Sequence, residues 1–180
     1  MAERIETKHA GLPWQIWEHE NNSETIYSHF TPLPNKKRVE FMRGLIDDAV
    51  SKGAKIVNKN GGTIIGGSHS TLMIPAILYP VTPDMDIYHQ EQFGPVVPIS
   101  EYENLDTVLS YGHKGVYAQQ VSIFVSEEET KSAATLLDRF STVFGKININ
   151  SQCGRSPDTL PFRSEEHTSE LQSRQYLVCR

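Results

Sequence analysis

A carboxylate, a thiol and a guanidinium are the side chains of this sequence whose surroundings point to chemistry. Glu91 and Phe93 sit two residues apart in Gln90-Glu91-Gln92-Phe93-Gly94-Pro95-Val96-Val97, where a polar stretch runs into an apolar one. An ionised carboxylate only accepts hydrogen bonds, and its two oxygens can take both hydroxyls of a cis-diol. The plain alternative is an exposed Glu91 beside a core Phe93, and the octapeptide alone supports both. Cys153 follows the last expected strand. A thiolate there could add to a carbonyl, but no His or Lys adjoins it to favour that form, so a small packing or pocket role is expected. Arg155 is a cation in the same loop, suited to an anionic ligand or equally to Asp158 and solvent.

Other candidates carry less. Asn60-Gly61-Gly62 and Gly66-Gly67 lack the spacing of G-x-G-x-x-G or G-x-x-x-x-G-K-[ST], and a strand with Pro75 follows them where a phosphate loop needs a helix. They are expected to be glycine turns. Glu18-His19-Glu20, His69, His89 and His113 show no spacing that puts two ligands on one face, so a solvated surface and no metal are expected.

These residues need elements to hold them. Val39, Met42, Ile46, Ala49 and Val50 recur at helical spacing between Asn35 and Gly53, despite Gly44, which costs about 1 kcal/mol relative to Ala. Lys55-Ile56-Val57 reads as a short strand, and Leu72 to Tyr79 as a longer one that Pro75 demotes to an edge or a bulge. Val96 to Ile99 reads as a strand, Leu105, Val108 and Leu109 mark a helix, and Val121 to Val125 is a buried strand. Ser126 with Glu129 forms a capping box for a helix whose inner face is Ala133, Leu136, Leu137 and Phe140. Lys146 to Asn150 closes the pattern with Ile147 and Ile149 inward. The expectation is an α/β fold with a mostly parallel sheet and crossover helices, and ligands beyond the carboxyl ends of the strands. Residues 1–32 show no sustained period and receive no element.

Composition sets the bounds. The chain has 180 residues, 17 basic and 22 acidic side chains, net charge -5 and 38% hydrophobic residues, as an ordinary globular domain does. The acidic balance argues against a nucleic-acid partner. No 18-residue apolar run exists for a membrane span, and residues 1–10 carry no apolar leader segment. Two cysteines, Cys153 and Cys179, make no disulfide scaffold, and with no signal visible a cytoplasmic location is expected.

The octapeptide around Glu91 resembles the E-E-x-F-G-P-V signature of the aldehyde dehydrogenase superfamily, with Gln90 in place of the commoner Glu. A second match follows in order: Lys146-Ile147-Asn148-Ile149-Asn150-Ser151-Gln152-Cys153 leads to Arg155-Ser156-Pro157-Asp158-Thr159-Leu160-Pro161-Phe162, similar to the family's late strand and substrate-side loop. Tyr117 to Val125 between them is also family-like. Thr31-Pro32-Leu33-Pro34, Leu45-Ile46-Asp47-Asp48-Ala49, Leu78 to Met85 and the R-x-P-D loop are most similar in wording to the NADP-dependent, non-phosphorylating glyceraldehyde-3-phosphate dehydrogenase branch. Gly154 departs from the Gln-Arg-Gly wording expected around Arg155.

The resemblance implies that the chain is the C-terminal part of an aldehyde dehydrogenase catalytic domain that uses NADP or NAD, and that the full-length form is a homo-oligomer. Glu91 would accept hydrogen bonds from the nicotinamide-ribose hydroxyls, and Phe93 would pack beside the nicotinamide. Asn150, Cys153, Arg155 and Phe162 would line the aldehyde site. No catalytic residue is assigned within the chain: the nucleophilic cysteine and the general-base glutamate are expected before Met1, and the isolated chain is expected to be inactive. Three segments follow: a lead-in over 1–32, the family-like part over 33–162, and a tail over 163–180. Arg163-Ser164-Glu165-Glu166-His167-Thr168-Ser169-Glu170-Leu171-Gln172-Ser173 resembles the in-frame translation of a sequencing-library adapter, the alternative being a divergent helix with Glu166, Glu170 and Arg174 on one face. The rival to an enzyme segment is a non-catalytic truncated chain that acts as an interaction or regulatory module, or no functional product. A truncated sheet would leave Ile123, Phe124, Ile147 and Ile149 partly uncovered.

Overall fold

Helix formation at Lys36–Ser51 (α2) starts from Asn35, whose side chain accepts a hydrogen bond from the Arg38 backbone N–H at 2.9 Å. The structure, a computed structural model, describes residues 2–19, 22–115, 118–126 and 133–153. Contacts divide the chain into two units, 1–101 and 102–180. In the first unit α2 turns Val39, Met42, Leu45, Ile46 and Ala49 inward. Val50, expected on that face, is 45% exposed because it falls at the edge of the stripe in the last turn, and Leu45 takes its place. Gly44 lies on the opposite face with open space around it.

The sheet under α2 holds Lys55–Ile56 (β3), Ala76–Tyr79 (β6) and Val96–Pro98 (β7) in the order β3-β6-β7. β3 runs antiparallel to β6, and β6 parallel to β7 with Ala76 opposite Val96. The strand expected over Leu72 to Tyr79 is two strands, because Pro75 has no N–H to give a ladder. Leu72–Met73 (β5) pairs antiparallel with Ile64–Ile65 (β4), and β6 is the central strand of the larger sheet. Pro75 therefore demotes nothing; it falls in the break. Buried Asn58 closes that break, donating from Nδ2 to the Pro75 carbonyl at 2.8 Å and accepting the Ile77 N–H at 2.9 Å. The turn beside it uses Asn60 and Gly62 with positive φ. At Gly61 a Cβ would come within 2.7 Å of Ile56. Gly66 and Gly67 also have positive φ, so both glycine pairs are turns.

Four further elements of this unit carry no signal in the sequence pattern. Ala2–Glu6 (α1) and Asp86–His89 (α3) are helices of one turn. Ile16–His19 (β1) pairs antiparallel with Asn22–Tyr27 (β2), with a register shift between Glu18 and His19 that interrupts any two-residue period.

The second unit contains Leu105–Lys114 (α4), Gln120–Ile123 (β8), Ala133–Phe140 (α5) and Lys146–Ile149 (β9). Asn104 caps α4 by accepting the Thr107 N–H at 3.0 Å. β8 and β9 pair in parallel, with α5 on the connection between them. Leu136 and Phe140 face inward with Val143, whereas Leu137, expected beside them, is 40% exposed, one helical step round from Leu136. Glu129 of the expected capping box lies outside the described residues. The fold is α/β as expected; among the described strands β6–β7 and β8–β9 pair in parallel, and the other three pairings are antiparallel. No helix among the described residues is long and apolar enough to cross a membrane.

Candidate functional site

The octapeptide of the first unit follows α3 and enters β7, and it is fastened at several points. The Gln90 N–H ends α3 on the Asp86 carbonyl at 3.1 Å. Gln92 donates from Nε2 to the Val96 carbonyl at 2.9 Å. The Pro95 carbonyl accepts the Ala76 N–H at 2.8 Å, which registers β7 on β6. Gly94 rests directly on Met42 of α2: a Cβ there would lie 2.2 Å from Met42 Cε and 2.8 Å from Sδ. Arg38, one turn into α2, donates from Nε to the Phe93 carbonyl at 3.1 Å.

With the backbone pinned inward, the side chains point out. Phe93 is 76% exposed, which removes the reading of a core phenylalanine. Glu91 is exposed and makes no hydrogen bond or ion pair among the described residues. Both carboxylate oxygens are open to a donor, and a ring face two residues on is open to a flat ligand. An acceptor-only carboxylate beside an uncovered aromatic ring fits a ribose cis-diol joined to a planar heterocycle.

The second unit presents the other expected group at the carboxyl ends of β8 and β9. Asn150 adopts φ +48°, donates its N–H to the Ile123 carbonyl at 2.9 Å and accepts the Val125 N–H on Oδ1 at 2.9 Å. Cys153 is an exposed free thiol whose Sγ shares a 3.1 Å hydrogen bond with Ser122 Oγ. Asn148, opposite Ser122 across the parallel pair, reaches the same sulfur from Nδ2 at 3.6 Å and donates to the Val121 carbonyl at 3.1 Å. Arg155 and Phe162 lie outside the described residues. The structure thus gathers Glu91 with Phe93, and Asn150 with Cys153.

Charge is concentrated where α2 meets α3. Asp48 Oδ2 accepts the Asp86 N–H at 2.8 Å, and Lys52 Nζ lies 2.6 Å from Asp48 and donates to the Asp84 carbonyl at 2.6 Å. Lys52, and then the Asp86 N–H, hold the Asp48 carboxyl below its ordinary range, while Asp48 holds Lys52 above its own. The Thr82 hydroxyl does the same for Asp84, lowering it. The Tyr79 hydroxyl donates to Glu101, which raises the tyrosine. His69, His89 and His113 are exposed, and His89 Nε2 meets the Pro83 carbonyl at 2.7 Å. Among the described residues no group of three or more His, Cys, Asp or Glu is placed to hold a metal.

Sequence reasoning missed Arg38, Ser122 and Asn148. Nothing local marks Arg38, which lies 55 residues from the carbonyl it holds. Ser122 and Asn148 were visible only through the β8–β9 register.

The chain matches the aldehyde dehydrogenase family over residues 19–165. It is 30% identical over 132 residues to the NADP-dependent glyceraldehyde-3-phosphate dehydrogenase of Streptococcus equinus, covering 73% of this chain and 26% of that enzyme. Against the Arabidopsis thaliana enzyme of that name the identity is 28% over 165 residues, covering 91% of this chain and 29% of the relative. A crystal structure of the NADP-dependent glyceraldehyde-3-phosphate dehydrogenase from Bacillus halodurans C-125, complexed with NADP, is similar at a TM-score of 0.69 and 28% identity, covering 88% of this chain and 29% of that one. The chain therefore spans little more than a quarter of the length of these relatives. With the signature loop, the parallel β8–β9 pair and the match over 19–165 in agreement, the chain belongs to the aldehyde dehydrogenase family.

Proposed function

We propose that this chain supplies the nicotinamide-ribose contact and part of the substrate mouth of an NAD(P)-dependent aldehyde dehydrogenase. The bound dinucleotide would supply a hydride acceptor. Glu91 would accept both ribose hydroxyls, and Phe93 would cover one side of the nicotinamide, so that the ring is oriented before reaction. The loop from Asn150 through Cys153 to Arg155 and Phe162 would border the aldehyde. Arg155 would meet a phosphate if the substrate is glyceraldehyde 3-phosphate, the substrate named in several relatives.

Cys153 is not the nucleophile in this reading, since the partners of its sulfur are the neutral Ser122 and Asn148, neither of which is a base or a cation that would activate a thiol. A thiol outside these 180 residues would add to the aldehyde to give a thiohemiacetal, its hydride would pass to the dinucleotide as the hydroxyl proton leaves to solvent or a base, and water would release the acid from the thioester so formed. The 180-residue chain assayed alone with NADP and glyceraldehyde 3-phosphate is accordingly expected to reduce no cofactor above a blank.

The observation that carries the reading is an unengaged carboxylate and an uncovered ring on a loop whose backbone is fastened from behind. Its test is fluorescence titration of NADPH into the full-length enzyme that carries this segment. Loss of a carboxylate acceptor in Glu91→Ala should weaken binding about tenfold or more. Equal affinity in wild type, Glu91→Ala and Phe93→Ala would remove the reading.

A further inference from the structure

We propose that Arg38 is the positioning residue of the cofactor-facing loop: from the first turn of α2 it holds the Phe93 carbonyl and thereby fixes where the Glu91 carboxylate and the Phe93 ring stand. Its functional meaning rests on the cofactor reading above; its structural content does not.

Three observations converge on this side chain. Among the described residues, the backbone of 91–93 makes one hydrogen bond, and Arg38 Nε is its donor, at 3.1 Å. The guanidinium that provides the donor is itself held, with its central carbon 4.8 Å from the centroid of the Phe41 ring. Arg38 is also anchored at its own backbone, because its N–H is the one that Asn35 caps at 2.9 Å. A chain of fixed points runs from the helix cap, through a guanidinium over a ring, to the carbonyl between an exposed acid and Gly94. Gly94 next to it fixes depth, through its close approach to Met42, but offers no direction. Arg38 provides the direction.

Lysine cannot copy this arrangement. Its ammonium is a point charge at the tip of a flexible stem, whereas the Arg38 Nε–H lies in a plane that Phe41 holds. Methionine keeps the aliphatic stem and removes every donor. If Arg38 only contributed positive charge to the surface, Arg38→Lys would behave as wild type.

The test is 15N relaxation on the 180-residue chain and its Arg38→Met and Arg38→Lys variants. Amide order parameters at 91–94 are expected near 0.85 in wild type and below about 0.6 in Arg38→Met, the usual ranges for rigid and flexible backbone. Arg38→Lys should fall between the two, and amides of α2 and β6 should keep wild-type values in both variants. Should Arg38→Met fail to fold, the lysine variant decides alone. Order parameters at 91–94 that stay at the wild-type value in every folded variant overturn the proposal. So does a loss of order that spreads equally through α2. The NADPH titration of Glu91→Ala separates the two ideas. A loop loosened by Arg38→Met with affinity indifferent to Glu91 defeats the cofactor reading and leaves Arg38 as the positioning residue. Affinity that depends on Glu91 with a loop indifferent to Arg38 does the reverse.

Discussion

Asn150 joins two strand ends with one residue. Its backbone stands at φ +48°, a left-handed conformation in which Asn is enriched and a β-carbon is otherwise disfavoured. Its N–H reaches Ile123 and its Oδ1 takes the N–H of Val125, so the end of β9 is tied to β8 from both sides. Asn150→Asp keeps the acceptor and the conformational tolerance, and its unfolding free energy from urea denaturation should stay within about 0.5 kcal/mol of wild type. Asn150→Gly keeps the backbone and loses one hydrogen bond, about 1 kcal/mol. Asn150→Ala loses the bond and adds left-handed strain, about 2 kcal/mol in all. Equal losses for Gly and Ala would show that the backbone conformation carries no cost here. Glu91, Phe93, Asn150 and Cys153 are legible in the sequence as candidates, since each lies in a short run of family-like wording. Their tethers are not, because Arg38 to Phe93 and Ser122 to Cys153 are long-range contacts that only folding makes.

At the scale of elements, the junction of α2 and α3 makes a pH-dependent prediction. Asp48 sits in the last turns of α2 and accepts the first N–H of α3, with Lys52 bridging it to Asp84. The folded carboxyl is held below its ordinary 3.8, first by Lys52 and next by the Asp86 N–H. A depressed folded value means that the group stabilises the fold fully above 3.8 and loses that contribution as pH falls through the lower, folded value. Lys52, raised above 10.5, contributes below that value and loses the contribution as pH rises beyond it. Asp48→Asn keeps an oxygen for Asp86 and removes the charge, so it should flatten the acid side of the thermal midpoint-versus-pH curve. Parallel wild-type and variant curves below pH 3.8 would exclude Asp48 as the titrating group. The helix α2 was legible because its stripe and its Asn35 cap are both local signals. The split of β5 from β6 was half legible. Pro75 signals an interruption, but which strand continues into the central sheet depends on Asn58, seventeen residues from the proline carbonyl that it binds.

The two units differ in what they bury, and stability should follow. The first holds Met42, Met73, Ile77, Leu78 and Met85 almost entirely out of solvent, and all of these but Ile77 belong to one buried cluster with the inner face of α2. The second, among its described residues, buries Leu136, Phe140 and Val143, leaves Phe124 71% exposed, and pairs β8 with β9 alone. A two-stranded sheet is marginal without a covered apolar face, and Ile123, Ile147 and Ile149 are each only half-buried, as expected for strands that lack neighbours. Opening should therefore begin in the second unit. Native-state hydrogen exchange at low denaturant should show the ladder amides of β8 and β9 opening at lower free energy than those of α2 and β6. A gap of about 1.4 kcal/mol corresponds to a tenfold difference in exchange rate under fast reclosing. Trimming the exposed face is the complementary arm: Phe124→Ser removes an apolar group that contributes little to the buried core, so it should leave the exchange of α2 unchanged. Identical opening free energies at β8–β9 and at α2 would mean that the chain unfolds as one cooperative body. The sparse core of the second unit would then be compensated by contacts that its own strands do not make.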